Sequence, residues 1–307
     1  MTAFLFPGQG SQTPGMGRDL YENETELRLL FNQAAEYVPN LLDVMFQGPP
    51  ELLASTQMAQ VALLAVEAAL SHSLQSAGCQ PKACAGHSLG EFSALVTSEA
   101  ISYEEALRLV SARGRYMAEK VPPGGMAAVI GLAPKAIEAA LPEGTVVANY
   151  NGPEQTIISG TLEGLERAEQ ALKGAGAKRV VRLQVSAPFH SPLMKEAAVA
   201  FDRELQGVEI VAPRCQFVSS VTGTVVSDPG EIRRILGVQI CAPVRWTDVM
   251  RTLGPMAAFE VGPGRVLQGL AKRTAGAPQV EPVGTLEAVR RLSGTVRAEV
   301  SAREDDR

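Results

Sequence analysis

Only three of the 307 residues are histidine: His72, His87 and His190. So small a stock of imidazole argues against a metal enzyme, and no metal site is expected. Cysteine is nearly as scarce. Cys79, Cys84, Cys215 and Cys241 are scattered without a CxxC pair, which argues against a disulfide framework and fits reduced thiols in a core. An excess of positive charge is also missing: 28 Lys and Arg against 33 Asp and Glu leave a net charge of -5, so there is no electrostatic footprint for nucleic acid. The most apolar helical stretch, VALLAVEAAL at 61–70, carries Glu67 at its centre, and no membrane span is expected. The start, MTAFLFPGQG, has neither the basic segment nor the long apolar segment of a signal peptide. A cytoplasmic location is the expectation.

What is present is an ordinary globular composition, 46% hydrophobic and 20% charged, in a chain long enough for one large domain with an insertion or for two domains. Apolar runs followed by helical patterns recur, the mark of a mainly parallel sheet flanked by helices. AFLF (3–6) and KACAG (82–86) read as buried strands, and helices are expected near 19–38, near 57–77 and from Ser102, where SYEE spells a capping box with Glu105. After VPPGG the order becomes strand, helix, strand, strand, helix, strand, which is the split βαβ pattern of a ferredoxin-like unit. The expected fold is α/β: a large α/β body from 1–123 and 188–307, and a small subdomain at 124–187 inserted into it. Further body strands are read in QFVSSVTG and AAFEVG, and the charged end, SGTVRAEVSAREDDR, is expected to fray.

Gly86-His87-Ser88-Leu89-Gly90 matches the G-x-S-x-G nucleophile elbow. In such an elbow the serine sits on a strained strand-to-helix turn that only glycine neighbours permit, and the turn lifts Oγ above the sheet. It also leaves the Leu89 N–H free at a helix N-terminus, where it can stabilise an oxyanion. Cys84 lies inside the expected strand and reads as buried and inert. A serine needs a base. His72 falls on a helix after an apolar run, and the His87 ring is expected to point away from its neighbour's hydroxyl. That leaves His190 in SAPFHSPLMKEAA, with Ser191 as the expected N-cap and Pro192 in the first helical position, so that the helix dipole keeps the ring neutral. Spacing alone leaves two readings of His190 open, a base or a loop histidine without a role.

On the helix after Ser102, Arg113 shares a face with Tyr103, Ala106, Val110 and Met117, whereas Arg108 and Arg115 fall opposite. A guanidinium on the core stripe needs a carboxylate partner. An internal Asp or Glu is the default partner, and a substrate carboxylate is the alternative. The loop GQGSQTPGMG departs from both phosphate-binding fingerprints, because Thr13-Pro14 replaces the third glycine of one and Met16 the lysine of the other. It reads instead as a loop of backbone donors at the end of the first strand, with Gln9 as a candidate second oxyanion donor. Asn149 and Asn151 in ANYNGP read as turn asparagines, with pocket lining as the alternative.

FPGQGSQ, GHSLGE, Arg113-Gly114, FHSPLM, QICAPVRW and EVGPGRVLQGL, in that order, resemble the malonyl-CoA:acyl carrier protein transacylase family over nearly the whole chain. The resemblance implies an α/β-hydrolase-like body with a ferredoxin-like insertion. It also implies ping-pong transfer of a malonyl group from malonyl-CoA to the phosphopantetheine thiol of acyl carrier protein in fatty acid synthesis. It assigns the nucleophile to Ser88, the base to His190, the carboxylate clamp to Arg113 and the oxyanion donors to Gln9 and Leu89. Gln239 would orient His190 through its backbone carbonyl, giving a Ser-His dyad without an acid and without a bound cofactor. Phe189, before the histidine, matches the residue that malonyl-selecting relatives tend to carry. The rivals are an acyltransferase serving a polyketide synthase, a serine hydrolase or thioesterase, and a non-catalytic protein that kept the fold. For the acidic carrier, KRVVR at 178–182 or Arg233 and Arg234 are candidate docking charges, with a solvated face as the plainer reading.

Overall fold

A computed structural model describes residues 2–185 and 187–293; the charged end after Ser293, where fraying is expected, lies outside the described residues. The chain opens with β1 (Thr2–Phe6), α1 (Arg18–Asn23), α2 (Thr25–Ala35), α3 (Leu41–Gln47), α4 (Pro50–Leu53) and α5 (Thr56–Ser76). β2 (Ala83–Gly86) then leads into α6 (Gly90–Thr97) and α7 (Tyr103–Glu119). Next come β3 (Gly125–Ile130), α8 (Pro134–Ala140), β4 (Thr145–Gly152), β5 (Gln155–Gly160), α9 (Leu162–Gly174) and β6 (Arg179–Arg182). A 3-10 turn, η1 (Pro192–Met194), precedes α10 (Lys195–Leu205), β7 (Gln216–Val218) and β8 (Val225–Val226). α11 (Pro229–Gln239), α12 (Trp246–Leu253), β9 (Ala257–Val261), α13 (Val266–Ala271) and β10 (Gln279–Val283) complete the order.

The first sheet has the order β10-β9-β1-β2-β7-β8. Its strands pair in parallel except for the β7–β8 hairpin. β1 and β2 lie at its centre and are apolar almost throughout, as strands covered on both faces must be. Pro282 sits in β10, an edge strand, where a missing N–H costs no ladder bond. The second sheet, β4-β5-β3-β6, is antiparallel, and α9 packs on it through Leu165, Ala168 and Leu172 against Ala127, Val129 and Ile158. That strand order is the ferredoxin-like one. The second sheet is tied to the link between α11 and α12 at the edge of β4, where Tyr150 N–H donates to Val244 O and Val244 N–H to Ala148 O, both at 2.8 Å.

α5 is buried along most of its length against the first sheet and α7, which explains an apolar stretch that encircles the helix. Glu67 is fully buried there and accepts from the Ser93 hydroxyl, and burial raises its carboxyl well above the usual range. No helix among the described residues is long and apolar enough to cross a membrane. Two local expectations need correction. The single helix near 19–38 is broken at Glu24, whose backbone is extended. At Ser102 only half of the capping box forms: Ser102 Oγ accepts from Glu105 N–H at 3.1 Å, but the Glu105 carboxylate turns to Arg108 instead.

Candidate active site

The elbow is built where β2 ends. Ser88 has φ 54°, in the left-handed region, and its two glycine neighbours leave no room for a side chain. A Cβ on Gly86 would lie 1.8 Å from the Gly90 carbonyl carbon, and one on Gly90 would lie 2.2 Å from Phe6 O. The turn is held by His87 N–H donating to Phe6 O at 2.9 Å and Gly90 N–H to His87 O at 3.1 Å. Leu89 caps the start of α6, so its N–H is among those a helix leaves without an internal partner.

His190 comes to this serine from 102 residues away, with Nε2 at 2.8 Å from Ser88 Oγ. Its backbone is also left-handed, φ 56°, and its N–H donates to Ile240 O at 3.1 Å. Nδ1 faces two carbonyl oxygens, Gln239 O at 3.1 Å and Ala242 O at 3.0 Å. Carbonyls only accept, so the ring proton belongs on Nδ1, and Nε2 is left to accept from the serine. Burial first, then the Arg113 charge, brings the imidazole pKa down to about 3. The ring is therefore neutral at pH 7, though for a different reason than the sequence suggests. Ser191 leads into a 3-10 turn rather than an α-helix, and its Oγ donates to Pro188 O at 2.6 Å instead of capping that turn.

Arg113 is 1% exposed on the inner face of α7. Nη1 donates to Gln60 Oε1 at 2.9 Å and Nη2 to Ser88 Oγ at 3.2 Å, while Nε has no partner. Among the described residues it forms no ion pair, so no carboxylate among them is the internal partner that the sequence offers as the default. Burial lowers its pKa to about 10, with the Glu91 charge acting in the opposite direction, and the group stays cationic at neutral pH. A buried cation held by neutral groups is poised for an anion.

A cavity of about 280 Å³ joins these groups. Gln9, Leu89 and Phe189 line it along with Ser88, Arg113 and His190. Gly8 approaches the elbow so closely that a Cβ there would meet His87 O at 2.5 Å, which brings the β1 loop and Gln9 to the site. The His87 ring points away from Ser88 Oγ toward Asn151 Oδ1 at 2.9 Å and packs on Trp246. Asn149 and Asn151 belong to β4, not to a turn, and both are buried in the cavity wall. That placement corrects the turn reading.

The remaining candidates fall elsewhere. His72 is exposed, 3.9 Å from Glu26. Cys84 is buried with Sγ 3.5 Å from Cys215 Sγ, and burial raises its thiol. Arg233 is spent on the Leu205 and Val208 carbonyls and Arg234 on Glu231, so neither is a free docking charge, whereas Arg179 and Arg182 in β6 are exposed. No cluster of His, Cys, Asp or Glu suited to a metal occurs among the described residues. Sequence reasoning missed Gln60, Ala242 and Glu91. The first had a signal, a polar side chain in a helix otherwise buried all round, and the third stood inside the GHSLGE motif. Ala242 acts through its backbone and had none.

The family model described as acyl transferase domain matches residues 3–301. A Bacillus subtilis protein named malonyl CoA-acyl carrier protein transacylase is 41% identical over 283 residues, covering 88% of this chain and 89% of the relative. The acyl carrier protein S-malonyltransferase of Vibrio cholerae superposes with a TM-score of 0.89 at 38% identity, over 95% of this chain and 99% of that one. A malonyl-transacylase solved in complex with its type II polyketide acyl-carrier protein also superposes at 0.89 and 38% identity, over 94% and 97%. With its model matched almost end to end and its elbow, imidazole and buried guanidinium gathered in one cavity, the chain belongs to the acyl transferase domain family.

Proposed function

We propose that this enzyme transfers a malonyl group from malonyl-CoA to the phosphopantetheine thiol of acyl carrier protein through a malonyl-Ser88 intermediate, supplying chain elongation in fatty acid synthesis in the cytoplasm. The single observation that carries the reading is the Ser88 hydroxyl, bonded to His190 Nε2 at 2.8 Å and to Arg113 Nη2 at 3.2 Å. One atom thus has a neutral base on one side and a buried cation on the other.

His190 Nε2 takes the hydroxyl proton as Ser88 Oγ attacks the thioester carbonyl. The Gln9 and Leu89 N–H groups hold the oxyanion, and Arg113 grips the free carboxylate of the malonyl unit. Collapse breaks the carbon–sulfur bond, and CoA leaves with the proton returned by His190. The carrier thiol then gives its proton to His190, attacks the acyl-serine and departs with the malonyl group, and Ser88 recovers its proton. Gln239 O and Ala242 O keep the ring proton on Nδ1 throughout. The steps need no metal ion or bound cofactor, because the prosthetic thiol belongs to the carrier. A hydrolase must admit water to the acyl-enzyme, and the Arg113 clamp favours a charged acyl group held for transfer.

The test is intact-mass measurement after mixing with malonyl-CoA. Wild type is expected to gain one malonyl group and to lose it when holo acyl carrier protein is added. Ser88→Ala is expected to gain none, and acylation of that variant would refute the assignment. The second reading, a polyketide synthase carrier, is favoured by the similar transacylase solved with such a carrier. Transfer rates to carriers of both kinds separate the two.

A further inference from the structure

Glu91, three residues after the nucleophile, is fully buried on α6. Burial pushes its carboxyl up while hydrogen bonds, led by that from Gln239, act against this. Both oxygens meet N–H donors. Oε1 accepts from Ser220 N–H at 2.6 Å, and Oε2 accepts from Gln239 Nε2. The second hydrogen of the same Gln239 amide goes to Ser88 O at 3.0 Å. The backbone carbonyl of the same residue accepts from His190 Nδ1 at 3.1 Å.

One residue therefore holds both partners of the dyad, the serine through its side chain and the histidine through its main chain. A glutamine amide can be turned over at little intrinsic cost, so something must choose its orientation. Turned over, Gln239 Oε1 would face the Glu91 carboxylate and Ser88 O, setting three acceptors against one another. In the orientation present, Oε1 is instead left buried without a partner. The arrangement accepts one orphan oxygen so that both amide hydrogens are used, and the Glu91 carboxylate and the Ser88 carbonyl together enforce the choice.

We propose that Glu91 is a positioning residue of the dyad, a carboxylate that acts one residue removed by fixing Gln239 and through it the strained Ser88 carbonyl and the His190 ring. It takes the orienting place that an acid in direct contact with histidine holds in a triad. This proposal rests on the reading of Ser88 and His190 as nucleophile and base.

The experiment tracks Ser88 acylation by quenched-flow mass spectrometry across malonyl-CoA concentrations, with thermal melts in parallel, for wild type, Glu91→Gln and Glu91→Asp. E91Q keeps the shape but must turn amide hydrogens toward Ser220 N–H or the Gln239 amide. E91D keeps the charge but retracts it by one methylene. Both variants are expected to lose about tenfold or more in limiting acylation rate, with half-saturation held within about twofold. A wild-type limiting rate in either variant overturns the proposal; loss in E91Q alone would mean that the charge acts on Arg113 and not by contact with Gln239. A weakened half-saturation at an unchanged limiting rate overturns it as well. E91D, which retains the buried charge, carries the test if E91Q does not fold. Wild type that takes up no acyl group defeats the parent reading instead.

Discussion

Arg113 on α7 donates to the hydroxyl of Ser88, on the turn that follows β2, across 3.2 Å and 25 positions of sequence. Cation and proposed nucleophile are one hydrogen bond from each other, so an acyl unit that reached both would be short, and an anionic end is what the cation would hold. The guanidinium is buried without an ion pair among the described residues, and a substrate carboxylate would supply the missing partner.

Arg113→Ala is therefore expected to remove about 2 to 5 kcal/mol of preference for malonyl over neutral acyl groups. Steady-state kcat/KM for malonyl-CoA and acetyl-CoA, measured on wild type and variant, checks it. Equal rates with the two thioesters in wild type would contradict the clamp.

The depressed His190 pKa has a consequence for stability. The unfolded chain binds a proton near the ordinary histidine value of 6.5, while the folded ring waits until about 3. Between these values the unfolded state holds the extra proton, so this group's contribution is fully present above pH 6.5 and is lost as pH falls toward 3. Going from pH 7 to pH 5, wild type should lose about 2 kcal/mol more than His190→Ala. Urea denaturation of both proteins at the two pH values measures the difference, and equal losses would contradict the buried neutral ring.

The elbow glycines make a steric prediction. A methyl group at position 86 would sit 1.8 Å from a backbone carbon that cannot move without unwinding α6. Gly86→Ala is expected to cost about 3 kcal/mol or to prevent folding. Denaturant melts give the number, and a near-neutral result would mean that the turn is looser than this packing.

Phe189 is buried in the cavity wall directly before His190. Phe189→Ser should open space for an α-methyl group and relax discrimination against methylmalonyl-CoA by about 1 to 3 kcal/mol. Competition between malonyl-CoA and methylmalonyl-CoA in the acylation assay reads it out.

Much of this was legible in the chain. β1, β2 and the glycine pattern at 86–90 depend on residues within a few positions of one another, and the antiparallel unit from β3 to β6 announces itself by element order. The short pieces α3, α4 and β8 escaped notice because so few residues carry no period. Around the site, Arg113 stood out as a cation on an apolar stripe, but its missing partner could not be read from one helix. Asn149 and Asn151 misled because local chemistry favours asparagine in turns, whereas here β4 carries them against His87.

By itself, then, the amino-acid order determined β1, β2, α5, α7 and the unit from β3 to β6, the strained turn that carries Ser88 and the cation on the inner face of α7, since each arises from short-range sterics or periodicity. Only the tertiary structure decided which imidazole meets the serine, which carbonyls hold its proton and which carboxylate steadies Gln239. Those contacts span 102 residues from Ser88 to His190 and 148 from Glu91 to Gln239. Contacts so distant in the chain form only when packing of the central sheet with its helices brings the segments together.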